Sequence, residues 1–377
     1  MKKILILGAS ELQIPLIEKC CNYGLFTIVL DRDSNAPGAQ SADLFLPIST
    51  VDLEAIYNLV QEENISAIIT TSEFPVQIVS KVALLCGLIS ASLRVAELCT
   101  NKYLQRAFLA DTGFKVPRFK LIENIQECID FSERPFVLKP VDSSGSRGVK
   151  LISSINDISW WYGQSKLFSS SGLLIAEEFI GGREFSVETL SQHGITYIIA
   201  ITEKRLFGGS REYFVESCHV LPAELSAEEY KCIEKAVNDV TKRMGFDNCG
   251  GHIELKLIDN DVYFVEIACR LGGDFISSDL VPLATGVDMM KNLIKISLGD
   301  PIDIEHSVEC YAAIQFISNL NYDRCISELA CKNPLIIKSE VKEFQNIEPR
   351  NSLDRLGHII VKSETRKELE DFLDKLN

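Results

Sequence analysis

The first hundred residues alternate apolar runs of strand length with longer segments of helical spacing, and nothing else in the chain limits its fold as much. KKILILG (2–8), FTIVLD (26–31) and ISAIITT (65–71) read as strands. LQIPLIEKCCNYG, DLEAIYNLVQEEN and VQIVSKVALLCGL read as helices between and after them, the first and last reaching a glycine stop. This βαβαβ order predicts a parallel sheet. The turn after the first strand, Gly8-Ala9-Ser10-Glu11-Leu12-Gln13, lacks the second and third glycines of a dinucleotide fingerprint. Asp31 ends the second strand, where a ribose-binding acid would sit. Without the glycines, a nicotinamide oxidoreductase is not expected. The sheet reads as Rossmann-like, used for substrate or for packing.

At 377 residues the chain has room for two or three domains. A helix is expected around 93–112, then a strand, RPFVLKP (134–140), and a small-residue turn, DSSGSRGV (142–149). LLIAEEF and REFSVETL read as strands joined by Ile180-Gly181-Gly182. A long helix fits 227–244, with Ser226 and Glu229 as a capping box and Gly245 as its stop. GHIELKLI and VYFVEIA form a hairpin around Asp259-Asn260-Asp261. The remainder holds ECYAAIQFI, a variable stretch, GHIIVKS and a final charged helix. The net charge of −15 argues against nucleic acid or an anionic membrane as partner. No apolar run nears the roughly 18 residues of a membrane span. MKKILILGAS reads as a buried first strand rather than a signal, and the twelve cysteines form no CxxC pair, so a reducing cytoplasm is expected.

Four local features carry chemistry. Glu254 and Glu266 each lie six positions from Asn260, so a turn centred there sets them directly across neighbouring strands. Opposed carboxylates repel, and magnesium, which takes one or two carboxylates and completes its shell with waters and phosphates, removes the conflict. A solvated acidic pair fits the same spacing. Alternation sends Ile253, Leu255 and Leu257 one way and His252, Glu254 and Lys256 the other. Lys139 emerges at the end of an apolar strand beside a proline, fit for a phosphate or simply for solvent. Ser143 to Gly148 has the composition of a backbone cradle for phosphate, or of an ordinary turn, and no GK[ST] follows. Glu177-Glu178-Phe179-Ile180, with Glu184 beyond, fits a hinge strand offering backbone groups to adenine and a carboxylate to ribose. The segment 203–222 is expected to loop over the substrate, with Lys204, Arg205 and Arg211 facing a carboxylate or phosphate or only solvent. Glu73 sits where open sheets bind ligands.

Taken in order, Lys102, Lys139, the small-residue loop, the EEFI hinge, the paired acids and a late arginine, Arg270, resemble the ATP-grasp superfamily over nearly the whole chain. Within it the chain is most similar to carboxylate–amine ligases of the L-amino-acid (dipeptide) ligase type. Purine-ribotide and carbamoyl-phosphate-type synthetases, or a non-catalytic ATP-binding protein, are the alternatives. The resemblance implies an α/β ATP-grasp fold with an N-terminal Rossmann-like pre-ATP-grasp domain over 1–97. The ATP-grasp domain would span 98–300, with a lid subdomain about 110–176, and a C-terminal lobe 301–377. It implies ATP with Mg2+, or Mn2+ in its place, small-molecule carboxylate and amine substrates, and a homodimer. By the same resemblance Lys102 and Lys139 bind the ATP phosphates, and Ser144, Gly145 and Ser146 belong to the lid loop. Glu177, Glu178, Phe179 and Ile180 hold adenine and Glu184 the ribose, while Glu254 and Glu266 bind the metal. Arg270 holds the substrate carboxylate or steadies an acyl phosphate, Gly272 and Gly273 offer amides nearby, and His252 faces substrate or packs. One position departs: Ala268 stands where many of these enzymes carry a metal-binding Asn, which favours the dipeptide-ligase branch.

Overall fold

The structure, a computed structural model, describes residues 1–131, 135–208 and 213–377. Its strands are β1 (Lys3–Leu7), β2 (Phe26–Leu30), β3 (Leu44–Leu46), β4 (Ala67–Ile69), β5 (Phe119–Ile122), β6 (Phe136–Pro140), β7 (Lys150–Ile152) and β8 (Leu174–Glu178). They continue with β9 (Arg183–Gln192), β10 (Ile195–Leu206), β11 (Glu216–Leu221), β12 (Cys249–Ile258), β13 (Asp261–Ala268), β14 (Tyr311–Ile317), β15 (Ile336–Val341) and β16 (Gly357–Ser363).

The expected parallel sheet is present in the order β3-β2-β1-β4. Both faces of β1 are apolar because helices cover both. Ile4 and Ile6 enter a core shared with the helices Ile14–Asn22 and Met289–Leu298, and Leu5 and Leu7 a core under the helices Leu53–Glu63 and Val76–Cys86. The short β3 lies in a stretch the sequence marks only as polar loop. It is fixed to β2 by Asp43, whose carboxylate accepts from the backbone N–H and hydroxyl of buried Thr27 at 2.8 and 3.0 Å.

The helix expected around 93–112 is two, Leu93–Thr100 and Lys102–Asp111. Asn101 breaks it: its backbone is extended, and its side chain accepts from the N–H groups of Tyr103 and Leu104. The helix Ala227–Met244 matches its expected bounds, with the Ser226–Glu229 capping box and Gly245 left-handed at its end.

An antiparallel sheet of eight strands, β13-β12-β9-β10-β11-β14-β16-β15, dominates the molecule. A four-stranded sheet, β5-β8-β6-β7, faces it. The two strands expected on either side of Ile180–Gly182 belong to different sheets, so this tripeptide is a crossover and not a hairpin turn. Gly182 has φ +92°, and a Cβ there would stand 2.6 Å from the Leu257 carbonyl oxygen.

One face of the large sheet packs Phe185, Val187, Ile253 and Leu255 against Ile233, Val237 and Val240 of the long helix. Its other face is divided. Leu190, Ile314 and Phe316 join the core under the parallel sheet, whereas Glu184, Glu188, Glu254 and Lys204 line a cavity of about 630 Å³ or lean on the groups that do. The loops at the carboxyl ends of β1 and β4, Ser10–Gln13 and Thr71–Phe74, form part of that cavity's wall.

Candidate active site

The β12–β13 hairpin brings Glu254 opposite Glu266, by a route that differs from the expected one. The turn is not centred on Asn260. Ile258 pairs with Asp261, leaving a two-residue turn in which Asp259 and Asn260 both have positive φ, 48° and 67°. That register alone would set Glu254 against Val265. A bulge between Glu254 and Leu255 leaves Val265 as an extra residue on the facing strand and restores the Glu254–Glu266 pairing. Arg106, buried in the helix Lys102–Asp111, donates to the carbonyl of Val265 and holds the bulge.

Period-two alternation puts the charged groups of four strands on one face. In register, His252 pairs with Glu188, Glu254 with Ser186, and Lys256 with Glu184. Lys204 of β10 pairs with Glu184 on one side and His219 of β11 on the other. The Lys204 ammonium, almost wholly buried, lies 2.5 Å from Glu254, 3.2 Å from Glu216 and 3.5 Å from Glu184. Burial opposes its charge, but those carboxylates outweigh burial and hold the lysine well above its ordinary range. Where the sequence suggests a loop over the substrate across 203–222, β10 runs on to Leu206 and β11 occupies Glu216–Leu221, while residues 209–212 lie outside the described residues. Alternation separates its cations. Arg205 points away from the cavity and makes a two-pronged pair with Glu370 of the helix Arg366–Leu376, at 2.7 and 2.8 Å. Arg211 lies outside the described residues.

His252 is wedged between two acids. Its Nδ1 is 2.7 Å from the fully buried Glu188, and its Nε2 is 3.3 Å from Glu254. Burial disfavours the imidazolium, yet Glu188 and Glu254 prevail and raise its pKa to about 9. Gly272 makes room for this pair, since a Cβ would stand 2.6 Å from Glu188 and 2.8 Å from His252. Gly273 lines the cavity itself.

On the facing sheet Lys139 is buried and sits 2.6 Å from Glu177, which also accepts from Arg106 Nε at 2.7 Å. Burial pushes the Lys139 ammonium below its ordinary range against the pull of Glu177, and Arg106 and Lys102 add to the push. Glu177 is held low: burial would raise it, but the charges of Arg106 and Lys139 win. The Glu177 side chain is thus the counter-charge of Lys139 and Arg106, and Glu177 lines the cavity as well. Glu178, Phe179 and Ile180 line the cavity, with Glu178 paired to Arg118 at 3.2 Å and the Ile180 carbonyl accepting from Lys256 at 3.0 Å. Glu184 also lines it, 3.7 Å from Lys256.

Lys102 opens its helix beside the small-residue loop. Its ammonium donates to the Ser143 carbonyl at 2.6 Å and lies 3.2 Å from Glu266. Ser144, Gly145 and Ser146 line the cavity, and Gly145, Ser146 and Gly148 all have positive φ. The Ser146 hydroxyl donates to the Phe214 carbonyl at 2.9 Å. Arg147 of the loop stacks over Phe74 from the parallel-sheet side, 5.2 Å from the ring centre.

Arg270 is half-buried, and its Nε lies 2.5 Å from Glu73. Sequence reasoning marked Glu73 only by its place at a strand end. It missed Arg355, which lies 2.8 Å from Asp274 and 2.7 Å from Glu216, with its guanidinium over Phe316. No spacing in the variable C-terminal stretch points to Arg355. Sequence reasoning missed Arg106 too, although that residue sits one helical turn after Lys102 on the same face, a spacing that could have found it.

Among the described residues no group of three or more His, Cys, Asp or Glu is close enough to enclose a metal. The donor set at the hairpin is two carboxylates, each with a lysine beside it. It suits a hard divalent ion that takes most of its ligands from phosphate and water. Ala268, buried opposite His252, offers the ion nothing.

Comparison with known proteins adds to this geometry. Residues 132–279 match the ATP-grasp domain. The chain is 29% identical over 282 residues to the formate-dependent phosphoribosylglycinamide formyltransferase of Wolinella succinogenes, covering 71% of this chain and 70% of that one. It is 26% identical over 392 residues to the protein of the same name from Photobacterium profundum, covering 97% and 93%. The crystal structure of an L-amino acid ligase from Bacillus licheniformis superposes with a TM-score of 0.81 at 21% identity, covering 100% of this chain and 97% of that one. The chain carries an ATP-grasp domain, and its fold is the ATP-grasp fold.

Proposed function

We infer that this ATP-grasp ligase, a C–N bond-forming enzyme, activates the carboxylate of an amino acid and joins it to an amine. The observation that carries the reading is the charge order along one cavity. Lys139, Lys102 and the Ser144–Ser146 loop lie toward the four-stranded sheet, Glu254 and Glu266 in the middle, and Arg270 with Glu73 toward the parallel sheet. Cations thus stand at both ends of a carboxylate pair. That order suits a nucleotide whose terminal phosphate meets a second anion. Beyond Arg270, Arg355 lies between Asp274 and Glu216, so acid and base are both on hand for a zwitterion.

On this reading residues 1–97 supply loops to the substrate end, 98–300 the nucleotide end with a lid near 110–176, and 301–377 the wall bearing Arg355. Glu254 and Glu266 hold Mg2+, which supplies charge neutralisation at the phosphates. Lys139 and Lys102 bind phosphate oxygens, Phe179 and Ile180 border the base, and Glu184 the ribose. Arg270 orients the substrate carboxylate, whose oxygen attacks the terminal phosphorus. An O–P bond forms, the bond to ADP breaks, and an acyl phosphate results. The amine nitrogen then forms the C–N bond, loses a proton, and phosphate leaves. Buried walls exclude water from the acyl phosphate.

The test is phosphate release from MgATP over all pairs of the twenty amino acids, with Glu266→Ala as control. Release that needs a particular pair and is lost in the variant is expected. Release with no pair would remove the amino-acid reading. A second reading, action on a purine ribotide, is favoured by the names of the two relatives above. Formate with phosphoribosylglycinamide therefore belongs in the same panel.

A further inference from the structure

Among the described residues four arginines line the cavity, Arg106, Arg147, Arg270 and Arg355. Three are paired with acids. Arg106 lies 2.7 Å from Glu177, Arg270 2.5 Å from Glu73, and Arg355 2.7 and 2.8 Å from Glu216 and Asp274. Arg147 has no carboxylate within ion-pair distance among the described residues. Its Nε donates to the Ser144 carbonyl at 2.9 Å and its Nη2 to the Ser144 hydroxyl at 3.3 Å, both within its own loop. Its Nη1 donates to no group among the described residues. Burial lowers the Arg147 pKa, and no neighbouring acid raises it again. A guanidinium keeps its charge at neutral pH all the same.

What holds this arginine across the cavity is a ring. The Arg147 guanidinium carbon stands 5.2 Å from the centre of Phe74. Phe74 follows Glu73 in the loop after β4, is 50% exposed, and packs into none of the apolar cores. Core packing therefore does not account for a phenyl group at this position. A carboxylate here would also attract the guanidinium, but it would occupy the N–H donors and cancel the charge. An aromatic face attracts the cation and leaves those donors open. Consecutive residues of one loop thus hold two arginines that come from different elements. Glu73 holds Arg270, just beyond the β12–β13 hairpin, and Phe74 holds Arg147, from the loop between β6 and β7. The unpaired guanidinium stands where the lid loop meets the substrate end of the cavity.

We propose that Phe74 is a positioning residue whose ring holds the Arg147 guanidinium for the phosphoryl group that passes from the nucleotide to the substrate carboxylate. The proposal rests on the ligase reading and adds two residues to it. Arg147 donates to oxygens of the transferred group, and Phe74 acts only through Arg147.

The test uses inorganic phosphate, titrated by calorimetry into the full chain saturated with MgADP, and needs no turnover. Arg147→Ala is expected to weaken phosphate binding roughly tenfold or more. Phe74→Ala is expected to weaken it roughly threefold. Phe74→Tyr keeps an aromatic face and is expected to match the wild type, whereas Phe74→Leu, apolar without such a face, is expected to behave as Phe74→Ala does. In the Phe74→Ala/Arg147→Ala double variant the affinity should equal that of Arg147→Ala alone, because the ring has nothing left to hold. MgADP affinity and the thermal midpoint of the Phe74 variants are expected to stay at wild-type values. If Arg147→Ala does not fold, the contrast between Phe74→Tyr and Phe74→Leu decides. Phosphate binding that Arg147→Ala leaves intact overturns the proposal. So do wild-type affinity in Phe74→Leu, an additive loss in the double variant, and the absence of phosphate binding by the MgADP-loaded wild type. Each of these outcomes leaves the ligase reading standing. Failure of the wild type to bind MgADP would instead refute that reading, and the proposal with it.

Discussion

Glu177 illustrates how a single buried side chain can hold two cations of the site in place. It is the shared counter-charge of Arg106 and Lys139, and all of these groups are buried. Removing one partner of a buried ion pair leaves an uncompensated charge, at a cost of about 3–5 kcal/mol. Glu177→Ala is accordingly expected to lose stability of that order in urea unfolding at neutral pH. The pH dependence has a definite sign. The folded-state pKa lies below its ordinary 4.5, so the ionised carboxylate stabilises the fold fully above that value. That contribution is lost as pH falls through the depressed pKa. Unfolding curves should therefore show the gap between wild type and Glu177→Gln narrowing below about pH 4.5; a gap that widens in acid would contradict the assignment. At the hairpin the expectation is catalytic. Glu254 and Glu266 sit at the cavity surface. Glu266→Ala is expected to leave thermal unfolding near that of wild type and to reduce phosphate release by roughly 100-fold or more; equal loss of stability and activity would instead mark it as structural. Glu254→Ala also removes a counter-charge of buried Lys204 and is expected to lose stability together with activity.

At the scale of elements, the informative pieces are those where one strand leaves its neighbour. The β12–β13 hairpin reaches its functional register only because a bulge compensates a turn one residue tighter than expected. Arg106 ties that bulge to the helix that also begins with Lys102, so one helix positions both a cavity-lining lysine and the second acid of the pair. The crossover from β8 to β9 depends on Gly182. An alanine there would adopt φ +92° and press its Cβ on the Leu257 carbonyl. Gly182→Ala should cost more than about 1 kcal/mol in denaturant unfolding. A neutral result would mean that the crossover moves freely and that the two sheets are less firmly coupled than their packing implies.

Across the whole molecule the cavity is a meeting of three sheets, and the Glu73–Arg270 pair is a charged link between the loop after β4 and the chain just beyond the β12–β13 hairpin. On the proposed reading the nucleotide lies toward the four-stranded sheet, away from Glu73, so loss of Glu73 should be selective. Glu73→Gln is expected to lower kcat roughly 10- to 100-fold by letting Arg270 shift, while MgADP affinity measured by calorimetry stays unchanged. A matching fall in nucleotide affinity would place Arg270 with the phosphates and not with the second substrate.

What the sequence determined by itself was the local order. The parallel sheet, the capped helix over 227–244 and the cavity-facing alternation of His252, Glu254 and Lys256 follow from period and caps, whereas the opposition of Glu254 and Glu266, expected from a wider turn, is reached through a bulge. Period and caps depend on neighbours within a few positions, which a single chain displays. Tertiary structure alone decided which charges meet. Lys204 and Arg205 are adjacent and chemically alike, yet one is buried among Glu184, Glu216 and Glu254 while the other grips Glu370 on the opposite face. The sheet assignment of β10 and β11 makes that division, and the sequence alone read the segment as a loop. Arg355 and Glu73 join the site from opposite ends of the chain. Asp31 turned from a ribose candidate into a cap on its own turn. Pairing energies of this kind depend on distance and burial, which are set when remote strands pack and leave no trace in local spacing.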